Sequence, residues 1–390
     1  MENRIDRVII LPKSGKGFKE QLSDCLQQLS LLTDSAGNRI IQQSFFINAM
    51  DNNTYLERHR IISGELEKAE NKPSTSIIAQ PPAAGQELSM ELILISNLSA
   101  DARLAYFNEQ GICYTKLTYN SHTEIYAGGI SPTRPVDPFI DQVEQGYQLM
   151  ESILMREGMN FADIARQWNY VEEILSVHDR GEDHIQNYQV LNDVRSRYYD
   201  KSDFTNGYPA ATGIGMNAGG IVLEIYAIKA GANMDLIPIK NPKQVDAYHY
   251  SEKVLVGDAI EHHHKKTTPK FERAKFVGSE GKGTVYISGT ASIQNEVTLG
   301  EGDVETQSKV TIENITNLIA VETLKSLNVS KSPGARDYTF IRIYIKNQED
   351  YSRVKQLCDS YYGDIPLHYL IADVCRDNLL LEIEGVVRLG

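Results

Sequence analysis

The sequence predicts an α+β protein built from two copies of one unit, each a mixed sheet with two helices packed on one face. Two observations carry that prediction. Short β-leaning runs bounded by Pro, Gly, Asn or Asp alternate with longer segments of helical apolar spacing. The order of these segments then recurs at an offset of about 160 residues.

Residues 1–72 are polar, with Leu and Ile at mixed spacing, and predict short elements packed on the main body. Strand signals begin at 74–79 and continue through 88–96, 104–107, 115–119 and 123–128. Helical spacing over 139–156 and 185–199 brackets a strand candidate in RQWNYVEEIL. VLEIYAI (222–228) closes the first copy within 205–232. The second copy answers it segment by segment. EIYAGGIS (124–131) corresponds to TVYISGTAS (284–292), each followed by a long helix, 139–156 and 304–327. NYQVLNDVRSRYYD corresponds to DYSRVKQLCDSYYG, and VLEIYAI to LLEIEGV (380–386), so Glu224 matches Glu382. The irregular stretch 232–270 separates an N-terminal domain, 1–232, from a C-terminal domain, 233–390. The open face of each sheet must be covered. Pairing of copies or homo-oligomerisation would cover it, pseudo-trimeric or trimeric packing included.

The chain has 390 residues, of which 41% are hydrophobic, enough for sizeable cores. Its net charge of −13 argues against a nucleic-acid partner, which needs basic surface. A small anionic substrate needs only a few Arg in one pocket. Neither membrane insertion nor secretion is expected, since no apolar run approaches spanning length, and a cytoplasmic location follows. Cys25, Cys113, Cys358 and Cys375 lack CxxC spacing, so neither a disulfide framework nor a zinc site is signalled.

The chemistry concentrates in 366–387, where carboxylates and a thiol interrupt apolar runs. Runs over 369–374 and 379–387 read as a β-hairpin turning at Asp377-Asn378. In that register Cys375 pairs with Leu380 and Asp373 with Glu382, and Asp373, Cys375, Leu380, Glu382 and Glu384 share one face. A half-buried carboxyl facing another should have a raised pKa, as a general acid near neutral pH requires. A strand with a solvated polar face gives the same pattern. Cys375, beside carboxylates, is a poor thiolate or simply a buried core thiol. Arg195 and Arg342 are embedded in ordered elements, with Arg273 and Arg376 nearer strand ends; each suits a carboxylate ligand or a structural ion pair. Gly289 interrupts a strand, making a bulge or leaving room for an approaching group. Gly213 and Gly215 precede a strand rather than a helix, which favours close packing over a phosphate loop. His262-His263-His264 are adjacent in a charged stretch and cannot converge on one metal ion.

The second copy resembles the RidA/YjgF-like superfamily, whose unit is the chorismate-mutase-like sheet with two helices. The wider chain resembles its chorismatase branch through IIAQPPAAG (77–85), YAGGISP (126–132), RQWNYVEEI (166–174), NYQVLNDVR (187–195), YPAATGIG (208–215), YISGTASI (286–293), GDVETQ (302–307) and ADVCRDNLLLEIEG (372–385). The resemblance implies chorismate as substrate, pyruvate as a product and no metal or organic cofactor. It implies that Glu382 is the general acid of a catalytic C-terminal domain. Cys375 and Gly289 fall on the residues that mark the 3-hydroxybenzoate-forming type. Arg195, Arg273 and Arg342 are the expected partners of the substrate carboxylates. Two departures stand out. FERA (271–274) follows EHHHKKTTPK instead of a Tyr-Gly-Pro-Arg stretch, and the arginine of RidA-type imine deaminases falls near His368-Tyr369. Hydrolysis to a dihydroxycyclohexadiene carboxylate, a non-catalytic binder and an imine deaminase are the alternatives.

Overall fold

Three sheets, each made from consecutive chain, share one core strand order. The structure, a computed structural model, describes residues 4–34, 37–132, 138–180, 183–256, 266–327 and 332–390. The first unit runs β1 (Arg4–Ile10), α1 (Phe18–Asp34), β2 (Arg39–Ile47), α2 (Asn52–Leu66), β3 (Ser74–Ile78), β4 (Leu88–Ser96), in sheet order β1-β4-β2-β3. The second begins with β5 (Arg103–Glu109), β6 (Ile112–Thr118), β7 (Thr123–Ile130), α3 (Phe139–Arg156) and β8 (Ile164–Glu172). After a ribbon of β9 (Val177–Arg180) and β10 (Asp183–Gln186) come α4 (Asn187–Tyr199), β11 (Ala210–Met216) and β12 (Ile221–Lys229), giving order β11-β8-β12-β7-β6-β5. The third opens with β13 (Asp235–Ile239), β14 (Ala274–Ser279) and β15 (Lys282–Thr290), then a ribbon of β16 (Ile293–Gln294) and β17 (Val297–Thr298). It continues with α5 (Val304–Leu318), β18 (Tyr338–Ile345), α6 (Tyr351–Tyr362), β19 (Leu367–Ile371) and β20 (Leu381–Leu389), in order β13-β14-β15-β20-β18-β19.

In every unit the last strand runs antiparallel between two neighbours, and the strand before it lies parallel at the edge. A parallel edge strand needs a crossover, which α2, α4 and α6 supply. The second and third units are the two expected mixed-sheet copies. The amino-terminal residues, expected as short packed elements, form a further unit with the same core order and no leading hairpin. Its sequence hides the kinship. Where β8 has Arg166 and Trp168, and β18 has Phe340 and Arg342, β2 carries Gln42 and Ser44. Register reveals it, because Glu91, Glu224 and Glu384 stand opposite Ser44, Trp168 and Arg342 respectively. Each bonds the neighbouring unit, at Arg342, Ser44 and Trp168. The expected match of Glu224 with Glu382 is therefore shifted by two residues, to Glu384.

Helices cover the outer face of each sheet, with Leu22 and Ile62, Met150 and Val194, and Ile315 and Val354 in the three outer cores. The inner faces meet one another through Ile41 and Ile93, Leu117 and Tyr226, and Phe340 and Val386. The chain thus covers its own sheet faces, and β12 is buried along all but its last residue.

The expected hairpin is not formed. β18 lies between β19 and β20, so Asp373 does not face Glu382 across a ladder. The reason is α6, which returns the chain to make β19 a parallel partner of β18, while β20 fills the slot between β15 and β18. His262, His263 and His264 lie outside the described residues.

Candidate active site

The edge strand β11 of the second unit packs against β15 of the third. The Gly289 N–H donates to Thr212 Oγ1 (2.9 Å), and the Ala211 N–H to Ser288 Oγ (2.9 Å). After β19 the chain crosses to the same strand, where Val374 bridges Ile214 and the Gly215 N–H donates to the Asp373 carbonyl (2.8 Å). This crossing, instead of a hairpin, delivers Cys375 to the cleft between the units. The crossing and α4 each require a glycine in β11. A Cβ on Gly215 would lie 2.8 Å from Asp373 Cβ, and one on Gly213 would lie 2.9 Å from the Tyr188 ring.

Five of the six site residues expected from sequence line this cleft: Glu382, Cys375, Gly289, Arg195 and Arg273. Tyr188, Arg376, Tyr250, Leu255 and Phe271 line it as well. Arg342 does not line it. Its guanidinium lies in the interior, where Nη1 donates to Glu384 Oε1 (2.8 Å) and Nε to Glu91 Oε1 (2.8 Å). Alternation in FIRIYIK places Arg342 on a sheet face but does not say which unit covers that face.

Glu382 projects from the middle of β20 and is 4% exposed, with no hydrogen-bond partner among the described residues. Its neighbour on the same face, Glu384, is fully engaged. Arg166 Nη2 (2.7 Å), Arg342 Nη1 (2.8 Å), Trp168 Nε1 (2.8 Å) and Thr212 Oγ1 (2.5 Å) all donate to it. Burial and, next, the negative field of Glu384 push the Glu382 carboxyl up to about 8, against the weaker opposing pull of Arg166 and Arg273. A group so placed is a protonated acid at neutral pH. Gly289 gives that acid its space, because a Cβ there would lie 1.8 Å from Glu382 Oε1. The strand shifts register between Ile287 and Thr290, so the glycine also sits in a bulge.

Burial, and then Glu382, push the Cys375 thiol up to about 12, so it enters chemistry as a neutral thiol. Arg195 is 2% exposed; Nη2 donates to Asn192 Oδ1 (2.5 Å) and Nε is unpaired. Arg273 is 4% exposed; Nη2 donates to the Val245 carbonyl (2.6 Å) and Tyr250 Oη (2.6 Å), and Nε is again unpaired. Among the described residues neither has a carboxylate partner. A buried guanidinium without a counter-ion is costly. Two of them facing a neutral acid form a receptor for a substrate with two carboxylates and a group to be protonated.

Sequence reasoning missed Arg166, Thr212, Trp168 and Tyr188. The internal repeat held the signal for Arg166, since RQWNY on β8 and RIYIK on β18 occupy equivalent strands. Among the described residues no group of His, Cys, Asp and Glu is arranged to hold a metal ion, and no helix is long and apolar enough to cross a membrane.

Comparison with known proteins gives the following relatives. Residues 108–228 match the family described as Chorismatase FkbO/Hyg5-like, N-terminal. A 3-hydroxybenzoate synthase of Streptomyces hygroscopicus is 29% identical over 296 residues, covering 74% of this chain and 79% of that protein. A chorismatase of the same organism is 27% identical over 269 residues, covering 68% and 73%. Among solved structures, the crystal structure of a chorismatase superposes with a TM-score of 0.71 at 20% identity, over 99% of this chain and 98% of that one.

Proposed function

We propose that the chain is a chorismatase, which converts chorismate to 3-hydroxybenzoate and pyruvate with Glu382 as the general acid. The observation that carries the assignment of Glu382 is its burial without a partner beside the clamped Glu384, in a cleft with two buried guanidiniums that have no carboxylate partner among the described residues.

Chorismate carries an enol ether. Transfer of the Glu382 proton to its methylene carbon leaves an oxocarbenium ion and weakens the C–O bond to the ring. The ring hydroxyl then displaces pyruvate within the same molecule and returns its proton to Glu382, giving an arene oxide that isomerises to 3-hydroxybenzoate. The atoms of chorismate divide completely between pyruvate and 3-hydroxybenzoate, so neither water nor any other co-reactant is consumed. Arg195 and Arg273 hold the two carboxylates and fix the methylene carbon against the acid. Gly289 and the neutral thiol of Cys375 leave the ring face open for the intramolecular displacement. The reacting groups belong mainly to the C-terminal domain, 233–390, while the domain over 1–232 contributes Arg195 and the wall formed by β11.

Incubation with chorismate should release equimolar pyruvate and 3-hydroxybenzoate, resolved by chromatography. A dihydroxycyclohexadiene acid as the main product would mean that water, not the ring hydroxyl, completes the reaction. Absence of pyruvate at high enzyme concentration would refute the reading.

A further inference from the structure

Glu91 lies in the first unit, which contributes nothing to the lining of the cleft, yet it ends a buried ionic chain that reaches the acid. Its Oε1 accepts from Arg342 Nε (2.8 Å) and meets His368 Nδ1 (2.5 Å), and its Oε2 meets Arg342 Nη2. The same guanidinium donates through Nη1 to Glu384 Oε1 (2.8 Å), and Arg166 closes the chain on Glu384 Oε2 (2.7 Å). Glu91 is 8% exposed, Arg342 3%, Glu384 2% and Arg166 1%. Two guanidiniums thus balance two carboxylates out of reach of solvent screening. Removing Glu91 would leave the set with one excess positive charge, and the end of the set lies beside Glu382.

We propose that Glu91 is a positioning residue for the general acid: acting through Arg342 and Glu384, the amino-terminal unit sets how readily Glu382 gives up its proton. This rests on the assignment of Glu382 as the acid. Arg342 and His368 outweigh burial and hold Glu91 down at about 2, so its charge is constant across the working range of an enzyme. The other groups facing the two ends are accounted for. Around Glu382 stand Glu384 on its own strand, Arg166 on β8, Tyr344 on β18, Tyr188 and Arg195 on α4, Arg273 ahead of β14, and Cys375 and Arg376 in the crossing. Around Glu91, Arg7 of β1 and Glu224 of β12 face the same small interior space as Arg342. Glu224 is bonded to Ser44 and Tyr170.

The rival account is that Glu91 merely ties the first unit to the third. The pH profile of kcat/KM for pyruvate release separates the two, because the rate falls as pH rises through the ionisation of the acid. Glu91→Gln should move that upper limb down by about one pH unit, the effect of an uncompensated buried charge roughly 10 Å away. Glu91→Gln/Arg342→Gln should move it above the wild-type position, since Glu384 then loses a cation. An unchanged limb in Glu91→Gln overturns the proposal. If the single variant does not fold, a limb in the double variant at or below that of wild type overturns it. Should the wild-type protein release no pyruvate, the reading of Glu382 as the acid fails instead. The coupling is then tested without turnover, from the pH at which Glu382→Gln alters thermal stability in wild-type and Glu91→Gln backgrounds. A common midpoint overturns it.

Discussion

Replacing Glu382 by Gln should abolish turnover and stabilise the fold, and the two effects have one origin. The carboxyl titrates at about 8 in the folded protein against 4.5 ordinarily. Between those values the folded state holds a proton that the unfolded chain has lost, so stability falls as pH rises through that window. Each pH unit costs about 1.4 kcal/mol. At pH 7 the cost is ~3 kcal/mol, and at pH 5 it has shrunk to ~1 kcal/mol. Gln keeps the shape and cannot ionise, so it is free of this cost. For a chain of this length the gain at pH 7 corresponds to a rise in melting temperature of about 4 °C. Thermal melts of both proteins at pH 5, 6 and 7, with pyruvate release measured on the same samples, test both effects. Activity should fall by about 10²- to 10⁴-fold. A variant less stable than wild type at pH 7, or a gain that does not shrink on acidification, would refute the account of Glu382 as a neutral acid.

Two further perturbations address the rest of the cleft. Gly289→Ala places a methyl group where Glu382 Oε1 now lies, so the carboxyl must turn aside. With overpacking of about 1–3 kcal/mol, 3-hydroxybenzoate formation should drop roughly 10- to 100-fold, and chromatography should show dihydroxy acid gaining share. Arg195→Ala and Arg273→Ala each remove a charge-assisted contact to a substrate carboxylate. Each should raise KM about 10- to 100-fold in steady-state kinetics, and an unchanged KM would remove that arginine from the site.

Glu382, Cys375 and Gly289 were legible because each breaks a local pattern: a carboxyl or thiol in an apolar run, or a glycine in a strand. Their mutual arrangement was not legible. Period-2 alternation fixes which residues share a face, whereas the strand they lie beside is a long-range matter. For that reason 366–387 reads as a hairpin, although β18 separates its two strands and Cys375 arrives on a crossing to β11. Arg342 is legible as embedded in an ordered element and is expected at a substrate carboxylate, yet it lies outside the cleft, since the group that covers it, Glu91, comes from a unit whose topology its own sequence disguises. Gln42 and Ser44 stand in β2 where arginine and an aromatic mark the other copies, which removed the repeat signal from the first unit.

The same register puts a glutamate at one position in all three units, Glu91, Glu224 and Glu384, and all three are engaged. Glu382, two residues before Glu384, stands where the other units have Ser89 and Val222. Glu91 is tied to Arg342 and His368, and Glu224 accepts from Ser44 Oγ (2.7 Å) and Tyr170 Oη (3.0 Å). The backbone beside each acid differs as well. Gly129 and Gly289 occupy equivalent places and donate to equivalent hydroxyls, Ser76 and Thr212. A Cβ on Gly129 would strike the Thr75 carbonyl at 2.3 Å, whereas one on Gly289 would strike the acid itself. In the first case the edge strand of the neighbouring unit fills the space, and in the second the carboxyl of Glu382 does. The active carboxyl is therefore distinguished by partners it lacks. Bonding groups on β8, β11 and β18 are recruited to Glu384 instead, which leaves Glu382 neutral, unbonded and beside a negative charge. A pseudo-symmetric scaffold acquires one acid in this way, two residues along β20 from the glutamate that it satisfies in every unit.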